Sequence, residues 1–225
     1  MNIPKLVELV EKLRIKIIGE PELIQEKSVY EYPEQTIEVV IILKLLRAVQ
    51  GVQAQTILCQ AGLFTDTCSL YRCVADCAEE IIFLLEKYPK QSTHVKKFVK
   101  NFFEHTIENL ASVETDTVSK KKIRSANVRF LSKGMQDEAI SKLLEGNYKV
   151  FCGYIHANYA HIMQSYGGTN GFNLLGVPDE NEKVVFKQIV KESYKNVINC
   201  SLPICLALKE TAIGEELMKL MEEME

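Results

Sequence analysis

The sequence contains few of the residues that turn or interrupt a chain. Its 225 residues include only 11 glycines, 6 prolines and no tryptophan. A sheet of many short strands needs frequent turns, which Gly and Pro supply, so this scarcity favours long helices over an all-β fold. Hydrophobic residues make up 47% and charged residues 25% of the chain, as in ordinary globular proteins, which excludes a disordered or fibrous protein.

The chain also lacks a strong charge of either sign and a long apolar run. Its 27 Lys and Arg and 30 Asp and Glu give a net charge of -3, which creates no field that gathers nucleic acid or an anionic membrane. Residues 1–20 carry charges every few positions and lack the apolar core of a signal peptide. The most apolar stretch, 39–49, contains Lys44 and Arg47 and is shorter than the roughly 20 residues of a membrane span. We therefore expect a cytoplasmic protein with no membrane partner.

Cysteine and histidine do not stand in the patterns of a metal site. The seven cysteines are an odd number in a chain without a secretory signal, so we expect reduced thiols that pack as small apolar groups. Cys68, Cys73 and Cys77 include no Cys-x-x-Cys pair for zinc. None of the four histidines follows a Glu by three residues, the spacing of a ferritin-like di-iron site. Phosphate-loop and nucleophile-elbow motifs are also absent, so we predict no metal and no cofactor.

The apolar residues recur at three- and four-residue steps, which predicts amphipathic helices along most of the chain. Two long helices, 34–61 and 65–88, are separated by a short break at Gly62 and should form an antiparallel hairpin at the centre of a bundle. Further helices are predicted over 4–18, 93–111, 119–133, 136–144, 147–166, 180–200 and from residue 211 onward. Residues 21–33 are predicted as a linker and 167–178 as the main irregular loop, and Pro203 should kink or break its helix. We therefore predict one all-α domain, residues 1–225, built around the hairpin at 34–88.

Charged residues form a stripe on the second helix of this hairpin. Helical spacing places Arg72, Asp76, Glu79 and Glu80 on one side. They are either a solvated face, with an Arg72–Asp76 ion pair worth a few tenths of a kcal/mol, or a polar cluster inside the bundle that also uses Arg47. Because charged side chains are seldom fully buried, the solvated face is favoured.

The densest group of titratable residues lies just before the irregular loop, in the segment 151–168. On a continuous helix Cys152, His156 and Tyr159 share one face. His156 is a candidate general base with Tyr159 as proton donor and Arg72 as a cation, so these three are the candidate catalytic residues. The alternative, a histidine that hydrogen-bonds between helices, is favoured because the sequence presents no nucleophile, metal set or cofactor loop beside it.

Two stretches, 45–89 and 148–159, carry a resemblance to known proteins. They contain a helix with Arg47, a helix with Arg72 followed by Glu79 or Glu80, and a later helix with Tyr148 and His156 in the pattern Tyr-x-x-x-Ser-x-x-x-His. Cys152 stands where that pattern has Ser. In these features the chain resembles a group of uncharacterised, mostly bacterial, all-helical proteins. The resemblance implies a helical fold without an assigned activity.

The chain is more loosely similar to the higher-eukaryote-and-prokaryote nucleotide-binding helical domains, some of which are toxin or antiphage ribonucleases. In those enzymes an Arg and a His with four to six residues between them join across a dimer and cut RNA without a metal. Before His156 the corresponding window holds Lys149, Val150 and Phe151, and no Arg fits it before any histidine. Lys does not replace the bidentate phosphate contact of Arg.

The functional hypotheses therefore belong to different classes. The first is a non-enzymatic association domain that forms a homo-oligomer or binds a helical partner through the apolar, Met-containing helix after residue 211. The alternative is a metal-independent RNA-directed nuclease or nucleotide-binding domain of a toxin or antiphage type, with His156, Tyr159 and a cation from Arg72, Lys149 or the run 119–124. A third is a small-ligand pocket between helices, capped by 167–178.

Overall fold

The computed structural model describes residues 1–26, 28–104, 117–135 and 137–224, and within them the protein is an all-α helical bundle, as predicted. A single two-stranded antiparallel sheet accompanies the helices in these residues. The elements are α1 (Ile3–Ile18), β1 (Glu22–Ile24), β2 (Val29–Glu31), α2 (Ile37–Gln60), α3 (Phe64–Leu85), α4 (Thr93–Glu104), α5 (Lys120–Leu131), α6 (Glu138–Ile155), α7 (Tyr159–Met163), α8 (Glu180–Ala207) and α9 (Thr211–Glu222). The predicted helix over 93–111 is seen to Glu104, and its remainder lies outside the described residues.

The helices α2 and α3 form the central hairpin. The Thr36 side chain caps the start of α2 by accepting a hydrogen bond from the backbone N–H of Val39 at 3.4 Å. The turn between the helices passes through Gly62, whose φ of +76° is one that glycine adopts without strain. The two helices approach closely at Gly51, where a Cβ atom would lie only 2.5 Å from Cγ2 of Val74. Close packing therefore accounts for a glycine inside a helix.

The core surrounds this hairpin, with α8 packed against both of its helices and α1 and α9 closing one side. Ile213, Leu217 and Leu220 of α9 are buried in this core. The apolar face that we expected to dock on another chain is thus covered by the protein's own helices. No helix in the described ranges is both long and apolar enough to cross a membrane.

The helix α6 differs from the prediction at both ends. It runs unbroken from Glu138 to Ile155 through the predicted break around residue 145, and it stops where a helix to residue 166 was predicted. The stop is at Ala157, which has a φ of +51°, and the backbone N–H of Asn158 donates to the Gly153 carbonyl at 3.0 Å. Because the helix ends between His156 and Tyr159, the predicted shared face for these two residues is wrong.

Two other segments also depart from the predictions. The linker contains the β1–β2 hairpin, in which Leu23 pairs with Tyr30. Pro203 lies inside α8, which continues for four more residues instead of breaking. Proline deprives the carbonyl four residues earlier of its helical donor, and here that residue, Asn199, is exposed to solvent.

The loop over 167–178 is anchored to the turn between α2 and α3. The backbone N–H of Val177 donates to the Gly62 carbonyl at 2.9 Å. Gly176 has a φ of +109°, and a Cβ atom there would lie 2.0 Å from the Ala61 carbonyl oxygen. Glycine is therefore required at 176 by both backbone conformation and contact.

Candidate functional site

The charged stripe on α3 is a cluster inside the bundle. Arg72 is 4% exposed and Glu80 is 9% exposed. The Arg72 Nη1 atom lies 2.5 Å from Oδ1 of Asp76. The favoured sequence interpretation, a solvated face, is wrong, and the alternative of a polar cluster is the one observed.

The cluster is buried because α5 packs over α3 and brings a cation with it. Lys120 Nζ lies 2.8 Å from Oδ1 of Asp76 and 2.9 Å from Oε1 of Glu80. From α2 the partner is Lys44, whose Nζ lies 2.7 Å from Oε2 of Glu80. The expected partner Arg47 is instead exposed. Each buried charge of this network thus has an opposite charge from a neighbouring turn or helix, which is the condition for burying it.

The pKa values of the two glutamates of the cluster are shifted in opposite directions. Burial disfavours the charged form of Glu80, but the charges and hydrogen bonds of Lys44 and Lys120 outweigh it, and the pKa of Glu80 is lowered. For Glu79 burial prevails over the charge of Arg72, and the pKa is raised. The ionised form is therefore less well stabilised in Glu79 than in Glu80.

The Tyr148 ring of α6 joins two guanidinium groups. Arg72 Cζ lies 4.0 Å from the ring centroid and Arg124 Cζ, from α5, lies 4.7 Å from it. Both distances are those of cation–π contacts. The guanidinium of Arg72 is thereby held in one orientation by α3 and α6.

Beside this cluster lies a cavity of about 210 Å³ bounded by α3, α5, α6 and α8. Small residues of α3, Ala75 and Ala78, form part of its wall. Its aromatic and polar lining residues include Tyr71, Tyr148, Phe151, Arg72, Glu79, Asn127, Asn147, Asn196 and Asn199. An aromatic wall with a few polar groups is typical of a ligand site.

Two polar atoms of this region are buried without a partner. They are Oε2 of Glu79 and Nε of Arg124. A buried polar atom without a hydrogen bond costs about 1–3 kcal/mol. Neither atom is accessible to a water molecule, so a donor in the adjacent cavity does not reach it.

The predicted catalytic residues are divided between the cavity and the surface. Arg72 lines the cavity, whereas His156 and Tyr159 are absent from its wall. His156 is exposed at the C-terminal end of α6, one turn after Cys152, and Tyr159 is 79% exposed at the start of α7. The structure therefore does not gather the three side chains in this cavity, and their catalytic role stays a prediction.

A different histidine, His161, joins two helices by packing and not by the hydrogen bond that was predicted for His156. His161 of α7 packs so closely on Gly153 of α6 that a Cβ atom there would lie 2.2 Å from Cε1 of the histidine. Its ring centroid is 4.2 Å from that of Tyr154. This contact fixes α7 against α6 and explains the glycine inside the helix.

The sequence interpretation missed the contribution of α5. The basic run 119–124 was considered as a source of a cation for RNA, yet Ile123 and Asn127 on the same helix are buried. Asn127 Nδ2 donates to the Glu79 carbonyl at 2.9 Å. The spacing of Ile123 and Asn127, four residues apart, is the local signal that one face of this basic helix packs against α3.

All seven cysteines are free thiols, as predicted. Burial raises the pKa of most of them, for example that of Cys200 to about 12. The pKa of Cys73 is instead lowered, by a hydrogen bond from Cys77 and by the nearby charges of Arg47 and Lys44. Cys73 is therefore the cysteine most disposed to form a thiolate.

Comparison with known proteins adds no identification. The chain matches no protein-family model, no curated protein and no solved structure. Among the described residues, no three His, Cys, Asp or Glu side chains lie close enough together to hold a metal ion. The two family resemblances thus stay predictions, and the functional argument depends on the site itself.

Proposed function

We propose that this chain is a helical binding domain and that the cavity between α3, α5, α6 and α8 holds a small polar ligand. The observation that carries the proposal is a cavity whose lining combines the carboxyl residue Glu79 with three aromatic rings, those of Tyr71, Tyr148 and Phe151. The guanidinium of Arg72, fixed by Asp76 and Tyr148, lies on the same wall. A site with oriented polar groups costs little further ordering when a ligand binds.

The size of the cavity limits the ligand. About 210 Å³ is less than the roughly 300–1,000 Å³ of pockets that hold drug-sized molecules. A small metabolite, or one ring of a larger molecule, is the appropriate size. The polar groups require at least one hydrogen-bond donor for Glu79 and one acceptor for Arg72.

The test measures binding of three small probes by calorimetry: acetate, ethylammonium and 2-pyridone. We expect at least one of them to bind and to raise the Tm of the protein. Ala75→Leu, which fills the cavity, should abolish binding, whereas Ala139→Leu on the exposed part of α6 should not. Failure of all three probes, or equal binding by the Ala75→Leu variant, would refute the proposed function.

Association with another chain is a second candidate function. It is supported by large apolar side chains on α7 and the following loop, where Tyr159 is 79%, Leu174 83% and Leu175 96% exposed. Such exposure in one region is typical of interaction surfaces. Light scattering should give a mass above that of one chain, and the double variant Leu174→Ser, Leu175→Ser should reduce it. A monomer in both cases would exclude self-association.

We also propose RNA cleavage at His156 and Tyr159 as an alternative function. Both side chains are exposed, which supports access to a large substrate. Equal RNA degradation by the wild type and by His156→Ala would show that this site is not the cause.

A cytoplasmic location is likewise proposed and is supported by the seven free thiols.

A further inference from the structure

We propose that the ligand is neutral and presents an N–H beside a C=O, as cyclic amides do, with the N–H donated to Glu79 and the C=O accepting from Arg72. This inference depends on the proposed function, because it assigns a chemical class to the ligand of the same cavity. It follows from the charge balance, the hydrogen-bonding pattern and the shape of the walls.

The charge balance of the cluster favours a neutral ligand. Arg72 is paired with Asp76, and Lys120 bridges Asp76 and Glu80. Lys44 binds Glu80 and Arg124 packs on Tyr148, so the charged residues of the cavity lining itself are Arg72 and Glu79, one of each sign. A charged ligand would add an uncompensated charge to this network, which is costly away from water.

The hydrogen-bonding pattern requires a ligand with both a donor and an acceptor. Arg72 and Glu79 are seven residues apart on α3, so they project from the same side of the helix about two turns, or roughly 10 Å, apart. The ion pair with Asp76, which is four residues after Arg72, draws the guanidinium along α3 towards Glu79. The carboxylate supplies only an acceptor and the guanidinium only donors. A ligand that meets both must offer a donor to the carboxylate and an acceptor to the guanidinium, as the N–H and the C=O of a cyclic amide do.

The cavity walls favour a flat molecule. Tyr71 and Phe151 stack on each other at 4.0 Å and both line the cavity, with Tyr148 near them. Asn147 and Asn199 are exposed residues of the same lining, so amide groups flank the opening. Amides both donate and accept hydrogen bonds, which suits polar substituents of a neutral ring.

The experiment compares 2-pyridone with 1-methyl-2-pyridone, in which a methyl group replaces the N–H hydrogen. We expect 2-pyridone to bind at least about tenfold more tightly to the wild type. Glu79→Gln should reduce that preference, because the amide no longer offers a carboxylate to the N–H. Arg72→Met should weaken both probes. The fold of each variant is checked by circular dichroism, and His94→Gln on α4, outside the cavity lining, is the matched control.

Two results separate the failure of this inference from that of the proposed function. If acetate or ethylammonium binds in the cavity and 2-pyridone does not, the cavity is a ligand site but the neutral-amide assignment is wrong. Equal binding of the methylated and unmethylated probes would also overturn the assignment. If none of the probes binds, both proposals fail.

Discussion

At the scale of single residues, the charges of α3 are buried because each is matched by a group from another turn or helix. Glu80 is the clearest case, with Lys44 of α2 on one oxygen and Lys120 of α5 on the other. One carboxylate thus joins three helices. Such a contact stabilises the fold only while the carboxylate is ionised.

We predict that Glu80→Gln lowers the free energy of unfolding by about 2 kcal/mol at neutral pH, because it leaves Lys44 without its carboxylate partner and Lys120 with Asp76 alone. The pKa of Glu80 is lowered in the folded protein, so its contribution is present at neutral pH and is lost as the pH falls through that pKa. Urea unfolding of wild type and variant should therefore differ at about pH 7 and converge below about pH 4. Glu145→Gln is the control, because the Glu145–Lys149 pair is exposed, and we expect less than about 1 kcal/mol. A difference that persists in acid would contradict the assignment.

The thiol of Cys73 gives a second residue-scale prediction. Its pKa is lowered by the hydrogen bond from Cys77, so its reaction with iodoacetamide should reach half of its maximal rate well below pH 9. Cys77→Ala should move that midpoint upward, because the donor is lost. Cys77→Ser retains a donor and should keep the midpoint low.

The measurement is mass spectrometry of each alkylated peptide, which separates the seven cysteines. Cys200 is the internal control because it is buried, with its pKa raised to about 12. Reaction of Cys200 before Cys73, or an unchanged Cys73 midpoint in Cys77→Ala, would refute the proposed hydrogen bond.

At the scale of elements, helices are predicted correctly from the sequence where the spacing of apolar residues is regular. Helix ends are predicted wrongly where a tertiary contact ends or extends the helix. The helix predicted over 4–18 is Ile3–Ile18, because its period and its Gly19 stop are both local signals. No Gly or Pro stands at Ala157, where α6 stops, so the local sequence contains no signal for the helix end. His161 packing on Gly153 accompanies that turn, and such a contact is formed only in the fold.

The crossing of α2 and α3 supports a prediction at the element scale. Gly51→Ala places a methyl group 2.5 Å from Cγ2 of Val74, so the helices must separate, and we expect a loss of about 1–3 kcal/mol. The double variant Gly51→Ala, Val74→Ala should lose less than the sum of the two single variants, because the second change removes the clashing atom. Thermal and urea unfolding measure the loss of stability in the single and the double variants.

The matched control is Gly146→Ala in α6. No heavy atom lies within 4 Å of the added methyl group there, so alanine should stabilise the helix by about 0.5–1 kcal/mol. If both substitutions had the same sign, close packing would not be the reason for glycine at 51.

At the scale of the whole molecule, the all-α architecture was predictable and the candidate site was predictable only in part. Arg72 and Glu79 are identifiable because one helix carries both at regular spacing. Asn127 and Asn196 reach the same cavity from α5 and α8. The spacing of Ile123 and Asn127 indicates that one face of α5 is buried, but the shape of the whole core decides that this face and α8 pack on α3.

The last prediction concerns α9, whose apolar residues were expected to bind another chain. Leu217 is 0% and Leu220 4% exposed, because both are packed into the core with α1 and α8. Removing residues 211–225 should therefore expose that core and lower the Tm by well over 10 °C or prevent folding, since several large side chains lose their burial. Met218→Ser on the exposed face of α9 should leave the Tm nearly unchanged. A truncated chain that remained folded with the wild-type Tm would mean that α9 is dispensable to the core and free to dock elsewhere.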